Sequence, residues 1–229
     1  MERLNGFKDG EGDKGDKEIG LCCVFGNCDR ILYIQNMGLT FHYSGSFKKD
    51  ASLDELIGEV RDIAEINGWE YQIYDDEFPN DDYGRETFND RIYGISFNPV
   101  GSEPVWLCFL SNGRLSTPDL LQYYGNPENE ADRKHLYLVS TKTQYSGMTT
   151  HMIIINLLKY IDNKYLTGLK IYDEGQYWET GDEKLLEDIF KRFNTAVDIF
   201  GTAVENNAKL PDESYEDYFK RILKGKSNR

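Results

Sequence analysis

The residues best suited to chemistry form one acidic run, DEGQYWETGD, at positions 173–182. Its carboxylates include Asp173, Glu174 and Glu179, and hard divalent cations prefer such clusters of oxygen ligands. These three residues are therefore a candidate metal site. With His151 helping to hold the ion and Lys142 polarising an anionic substrate, the site would serve a metal-assisted hydrolase.

The same run has a competing structural explanation. Thr180 and Glu183 have the spacing of a capping box, and Asp182 would interact favourably with the positive end of a helix dipole. Roughly half of the motif is thereby explained without a function. Tyr177 and Trp178, the two large aromatic residues inside the run, stay candidates for a binding surface.

A second group of candidates belongs to the string KTQYSG and the helix that it precedes. Lys142, Thr143 and Gln144 come before a helix N-terminus, where an anion could be held, and Tyr145 and Ser146 follow in the same turn. His151 falls in the first turn of that helix and could bind a metal or act as a general acid or base. A polar first-turn histidine without a catalytic role is the commoner case.

An order of parts occurs twice in the chain and suggests an internal repeat. Each stretch reads as strand, YSG, helix, then IYD and a further acid, at positions 43–76 and 145–174. A strand–helix–strand crossover brings both strand ends to one sheet edge, where open α/β sheets bind ligands. The first edge would gather His42, Tyr43, Ser44, Asp75 and Asp76, and the second Lys142, Gln144, Tyr145, Ser146, Asp173 and Glu174. The sequence leaves open whether the two edges meet.

The apolar periodicity predicts the elements that must position these residues. Predicted strands are 39–43, 69–74, 92–97, 105–110, 136–141 and 169–173, with the third and fourth forming a hairpin. Predicted helices are 53–68, 149–165, a long one from the capping box to about residue 205, and 214–223. The expected class is α/β (α+β), with one mixed sheet of about six strands built from two strand–helix–strand units and the hairpin. Helices pack on this sheet, and the long C-terminal helix completes the layer.

Composition divides the chain into three parts. Residues 1–36 differ in composition from the rest of the chain and are predicted to be a flexible N-terminal extension, residues 37–210 a single α/β domain, and residues 211–229 a short C-terminal helix and tail. Cys22, Cys23 and Cys28 crowd the first part, where the absence of a second nearby ligand pair disfavours a zinc site. The cysteine pattern predicts no disulfide framework and indicates a reducing compartment.

The charge balance narrows the classes of partner. A net charge of −14 over 229 residues disfavours nucleic acid and anionic membranes. It suits a basic protein partner, a metal ion or simply solubility, and solubility is the commonest reason for such a charge. No apolar run reaches the roughly 20 residues of a membrane helix, so the expected location is the cytoplasm. The usual nucleotide, zinc-protease and serine-hydrolase motifs are absent, which favours a binding or interaction module over the alternative of a metal-assisted hydrolase.

The helix at 149–165 is apolar nearly all round, and either its own chain or a second copy in a homo-oligomer would cover it.

Three strings carry a resemblance to a known group. HYSG, KTQYSG followed by His151, and DEGQYWETGD together resemble an uncharacterised group of bacterial proteins. The resemblance extends from about Met37 to the long helix after Asp182, and it supports treating residues 1–36 as an appendage. It implies a fold and a site, but no activity.

Overall fold

The chain folds into an α+β structure, as predicted, with helices packed on antiparallel sheets. A computed structural model describes residues 38–79, 82–126 and 130–224. The predicted extension 1–36 and its cysteines lie outside these ranges. Among the described residues, no helix is both long enough and apolar enough to cross a membrane.

The described strands form two three-stranded sheets, which corrects the expectation of one mixed sheet. The first sheet has the order β5-β1-β6, with β1 at Thr40–Phe47, β5 at Val139–Lys142 and β6 at Leu166–Asp173. The second has the order β2-β3-β4, with β2 at Glu70–Ile73, β3 at Tyr93–Asn98 and β4 at Val105–Phe109. Neighbouring strands are antiparallel throughout.

Of the two predicted strand–helix–strand units, the structure contains the second but not the first. Because β5 and β6 both run antiparallel to β1, they are parallel to each other with one strand between them, as expected for the second unit. The first unit is wrong, because β1 and β2 belong to different sheets. β1 continues to Phe47, whose amide donates to the Gly113 carbonyl, and β2 pairs instead with β3 of the predicted hairpin.

The helix α1, at Leu53–Asn67, begins and ends as predicted. The Ser52 hydroxyl accepts a hydrogen bond from the Glu55 amide, and Gly68 closes the helix in the left-handed conformation. The region 111–134, between the predicted strands 105–110 and 136–141, contains a helix, α2, at Pro118–Tyr124, and the start of a 3-10 helix at Glu130–Tyr137. Thr117 caps α2, so the signal for this short helix was a threonine directly before a proline.

Helix α3, at Met148–Tyr165, packs into the core, and its own chain covers most of it. Ile154, Ile155, Leu158 and Ile161 are fully buried in one core cluster, which also includes residues of both sheets. The apolar character of this helix is therefore largely explained within a single chain.

The long C-terminal helix is confirmed, but its cap is not the predicted one. A short helix, α4, at Tyr177–Thr180, precedes α5 at Glu183–Glu205. The Asp182 carboxylate accepts from the first amides of α5, whereas the Thr180 hydroxyl donates to the Gln176 carbonyl inside α4. A final helix, α6, at Tyr215–Lys224, packs against the end of α5.

Candidate functional site

A buried chain of three polar side chains joins the turn after β5, the first turn of α3 and the end of β6. Thr143 Oγ1 lies 2.7 Å from His151 Nδ1, and His151 Nε2 lies 3.2 Å from Asp173 Oδ1. None of the three is more than 2% exposed. The rings of Phe41 and Phe190 pack edge-on against the imidazole and shield it from solvent.

The Asp173 carboxylate is also the acceptor for a backbone turn. It accepts from the amides of Gly175, Tyr177 and Trp178 at 2.7, 2.9 and 3.0 Å. Burial by itself would raise the pKa of Asp173, but the hydrogen bonds from His151 and these amides outweigh burial and lower it. Four donors converge on this ionised carboxylate, which is about the number that two carboxylate oxygens can accept.

One proton position follows from this ionised carboxylate. Since Asp173 only accepts, the His151 Nε2–H donates to it. The Thr143 hydroxyl is hydrogen-bonded to His151 Nδ1 and also lies 3.4 Å from the Leu39 carbonyl oxygen. A hydroxyl, an imidazole and a carboxylate in this order can activate a nucleophile. Here Thr143 and His151 have no exposed surface, so the group acts as a brace between the turn, α3, β6 and α4.

The sequence predicts chemical roles for two members of this brace, the titratable residues His151 and Asp173. Thr143 is predicted only as part of the KTQ turn that could hold an anion, and not as the partner of His151. Its signal was its place in the turn directly before a helix that carries a first-turn histidine.

The predicted metal ligands are not gathered around one point. The Glu174 side chain accepts from the Thr40 amide at 2.9 Å. Burial and the nearby negative charge of Asp173 raise the pKa of Glu174. They outweigh the Thr40 hydrogen bond and the positive charge of Lys142, which lower it. Glu179 is exposed on α4. Across the described ranges, no group of three or more His, Cys, Asp or Glu side chains is placed to hold a metal ion.

The other candidates from the second edge have separate surroundings. The Gln144 side chain is 2% exposed, and neither of its amide atoms has a hydrogen-bond partner among the described residues. Tyr145 is 65% exposed, whereas the Ser146 hydroxyl donates to the Thr143 carbonyl within the turn. These residues share a turn but differ in burial and in hydrogen bonding.

The aromatic pair of the acidic run faces the protein interior. Tyr177 is 7% exposed and belongs to the core cluster, and Trp178 packs beside it. The Lys159 ammonium of α3 lies 5.5 Å from the Tyr177 ring and 5.6 Å from the Trp178 ring. The two aromatic residues therefore secure α4 to α3.

Three of the residues predicted for the first edge, His42, Tyr43 and Ser44, lie within β1 and not at its end. The Tyr43 hydroxyl is bonded to both the backbone amide and the carbonyl of Trp106, so this side chain links the two sheets. Ser44 pairs with Lys170 across the first sheet. His42 and Ser44 therefore do not meet Asp75, which follows β2 of the other sheet and forms a bidentate ion pair with Arg91.

His42 lies in the middle of the first sheet, between cross-strand neighbours. Its Nδ1 is 2.7 Å from the Ser140 hydroxyl, and its ring stacks on Tyr172 with 6.2 Å between centroids. Burial lowers the pKa of His42 below its ordinary value of 6.5. The imidazole is therefore neutral in the folded protein over a pH range in which an unfolded chain would protonate it.

This shift predicts a pH dependence of stability. In this pH range the His42 imidazole binds a proton in the unfolded state but stays neutral in the folded state. The free energy of unfolding should therefore fall as pH decreases from about 7 towards 5. We expect His42→Gln to make this fall smaller. Urea unfolding at several pH values measures it, with pH 8 as the baseline for each protein. Equal pH slopes for the two proteins would contradict the assignment.

A different exposed region was not identified from the sequence. Tyr71 and Ile73 of β2 are 39% and 42% exposed, although both are apolar residues of a strand. The segment 62–77, which contains them, has six carboxylates and no lysine or arginine. We define the acidic edge as the exposed residues Asp62, Glu65, Glu70, Tyr71, Gln72, Ile73, Asp76 and Glu77.

The electrostatics of the acidic edge are dominated by carboxylates. The Tyr71 hydroxyl donates to Glu65 at 2.9 Å, and this bond raises the pKa of the phenol. Arg61, on the neighbouring turn of α1, is engaged by Asp62 at 3.4 Å. An open cleft adjoins the end of β2, lined by Ile73, Tyr74, Asp75, Arg91 and Ile92.

Comparison with other proteins adds no assignment to this geometry. No protein-family model, curated protein or solved structure matches the chain.

Proposed function

We propose that this protein binds a basic protein partner through the acidic edge, and that it neutralises or scaffolds that partner. The observation that carries the proposal is the exposure of Tyr71 and Ile73 on a strand whose surrounding segment holds six carboxylates and no basic residue. Apolar side chains at the centre and charged ones around them are the usual anatomy of a protein interface.

The charge of the whole molecule supports the same partner class. At a net charge of −14, the field of the protein attracts basic proteins over a distance and repels nucleic acid and anionic membranes. The acidic edge concentrates this negative field around Tyr71 and Ile73, whose exposed side chains can also make apolar contacts. Electrostatic attraction of this kind increases the association rate and selects against acidic competitors.

The buried brace favours binding over hydrolysis as the function. A catalytic hydroxyl must touch its substrate, and Thr143 is 0% exposed. Asp173, the leading metal ligand of the alternative, already accepts from three amides and from His151. These residues stabilise the fold that carries the acidic edge.

The test is affinity capture from the source cell, with charge-reversed variants. We expect the wild-type protein to retain a basic protein in stoichiometric amount, and the double variant Glu70→Lys, Glu77→Lys to bind it about tenfold more weakly or less. Both side chains are exposed. The dissociation constant of the recovered pair, measured by calorimetry at low and physiological salt, gives the comparison.

A matched control separates the acidic edge from net charge alone. Asp198→Lys with Glu205→Lys makes the same charge change on exposed positions of α5 and should leave the affinity nearly unchanged. Equal loss in both double variants would show that the acidic edge is not the binding surface. Failure to recover any basic partner with the wild type would overturn the proposal.

A further inference from the structure

The outer edge of β2 presents backbone groups that no described strand pairs. In the second sheet, β2 lies at one end of the order β2-β3-β4. The Tyr74 amide donates to the Gly94 carbonyl, which fixes the alternation of the ladder between β2 and β3. Since hydrogen-bonded pairs alternate, Gln72 faces β3 through its backbone, and the N–H and C=O groups of Tyr71 and Ile73 point away from it.

The outer edges of β4 and β5 are covered by specific contacts. At β4, the Tyr43 hydroxyl occupies the backbone amide and carbonyl of Trp106. At β5, the Lys142 amide donates to the Glu103 carboxylate, and the Lys142 carbonyl accepts from the Glu103 amide. The edge of β2 has no comparable cover among the described residues.

Lysine, proline and bulges, which are among the devices by which natural sheets protect exposed edges, are absent from the four residues of β2. The strand reads Glu-Tyr-Gln-Ile, its register with β3 is continuous, and its one charge is an exposed carboxylate. An edge that is both open and acidic is suited to a basic strand.

We propose that an extended basic segment of the partner adds to β2 as a fourth strand of the second sheet. This inference rests on the proposed function and specifies how the partner is held. Backbone hydrogen bonds to Tyr71 and Ile73 supply the pairing, and the carboxylates of the acidic edge select the charge.

The two faces of the sheet predict the pattern of the added strand. Tyr71 and Ile73 lie on the same face as Phe97 and Ile95, their cross-strand partners. Residues of the added strand on that face would be apolar, and the alternate residues, beside Glu70 and Gln72, would be lysine or arginine. A second copy of this chain fits poorly, because it would set the carboxylates of two acidic edges against each other.

The experiment uses the full chain and a labelled peptide of alternating lysine and valine. A second peptide has the same side chains but carries N-methyl groups on alternate residues, which removes the amide donors along one edge. We expect fluorescence anisotropy to show about tenfold weaker binding of the methylated peptide, since two net hydrogen bonds are lost.

Variants of β2 provide the matching evidence from the protein side. Ile73→Pro removes one outward amide, and proline is tolerated at an edge position of this kind. We expect it to weaken binding of the unmethylated peptide about fivefold relative to Ile73→Thr, which shortens the apolar side chain but keeps the amide. Circular dichroism and the unfolding midpoint verify that both variants are folded.

The outcomes separate this inference from the proposed function. Strand addition would be overturned if the two peptides bound with equal affinity and if Ile73→Pro and Ile73→Thr bound the unmethylated peptide equally well. Charge-driven binding would remain intact. If neither peptide binds at low salt and no basic partner is recovered, the proposed function itself fails. Self-association of the wild type that Ile73→Pro abolishes would instead assign the edge to a second copy of the chain.

Discussion

Asp173→Asn is expected to lower the free energy of unfolding by about 3 kcal/mol. The substitution keeps the size of the side chain and replaces one acceptor oxygen by a donor. Whichever way the new amide turns, at least one of the donors Gly175, Tyr177, Trp178 and His151 faces an N–H group in place of an oxygen. Each buried donor left unpaired costs about 1–3 kcal/mol, so the loss should be large for so small a change in the side chain.

Thermal and urea unfolding measure this loss. For a domain of this size we expect the midpoint to fall by roughly 6–12 °C. Asp182→Asn is the matched control, because Asp182 caps α5 from an exposed position and asparagine caps a helix about as well as aspartate. An unchanged midpoint for Asp173→Asn would show that the buried brace contributes little, and would reopen a catalytic role for this carboxylate.

Gly94→Ala is expected to cost about 3 kcal/mol or more. Gly94 lies inside β3 with a φ of 110°, a region that side chains rarely enter. A Cβ atom at this position would also overlap the Leu107 carbonyl oxygen of the neighbouring strand β4. Both effects act on the backbone, which cannot move without disturbing the β3–β4 ladder.

Urea unfolding of Gly94→Ala, compared with Gly58→Ala, isolates this effect. Gly58 lies in the middle of α1, and a Cβ atom there would meet nothing within 4 Å. Alanine is the better helix former, so Gly58→Ala should raise the free energy of unfolding by about 0.5–1 kcal/mol. Similar behaviour of the two variants would contradict the close approach of β3 and β4 at Gly94.

The acidic edge and the buried brace have different relations to function. Asp173→Asn should destabilise the fold, and at a temperature where that variant is still folded its affinity for a basic partner should be that of the wild type. The Glu70→Lys, Glu77→Lys variant should have the opposite profile, with weaker binding and little change in stability. This contrast distinguishes a structural carboxylate from recognition carboxylates in a strongly acidic protein.

Local patterns in the sequence were sufficient for most of the elements. Ser52 and Gly68 define α1 because capping depends on residues within one turn of the helix end. The hairpin of β3 and β4 and the helix α3 follow from apolar periodicity in the same way. The sequence predicts Thr180 as the cap of α5, although Asp182 offers a side-chain oxygen at nearly the same position. Only the structure shows that the Thr180 hydroxyl donates to the Gln176 carbonyl and that Asp182 caps α5.

Contacts between distant segments were decided by the tertiary structure. The sequence indicated the α+β class, the long C-terminal helix and the chemical interest of His151 and Asp173. It could not show that β2 pairs with β3 instead of joining the sheet of β1. The pairing partner of a strand depends on which strand edge it meets after the chain has collapsed. Nor could the sequence show that His151 is enclosed or that Tyr71 and Ile73 are exposed, because burial is a property of the packed molecule and not of a residue type.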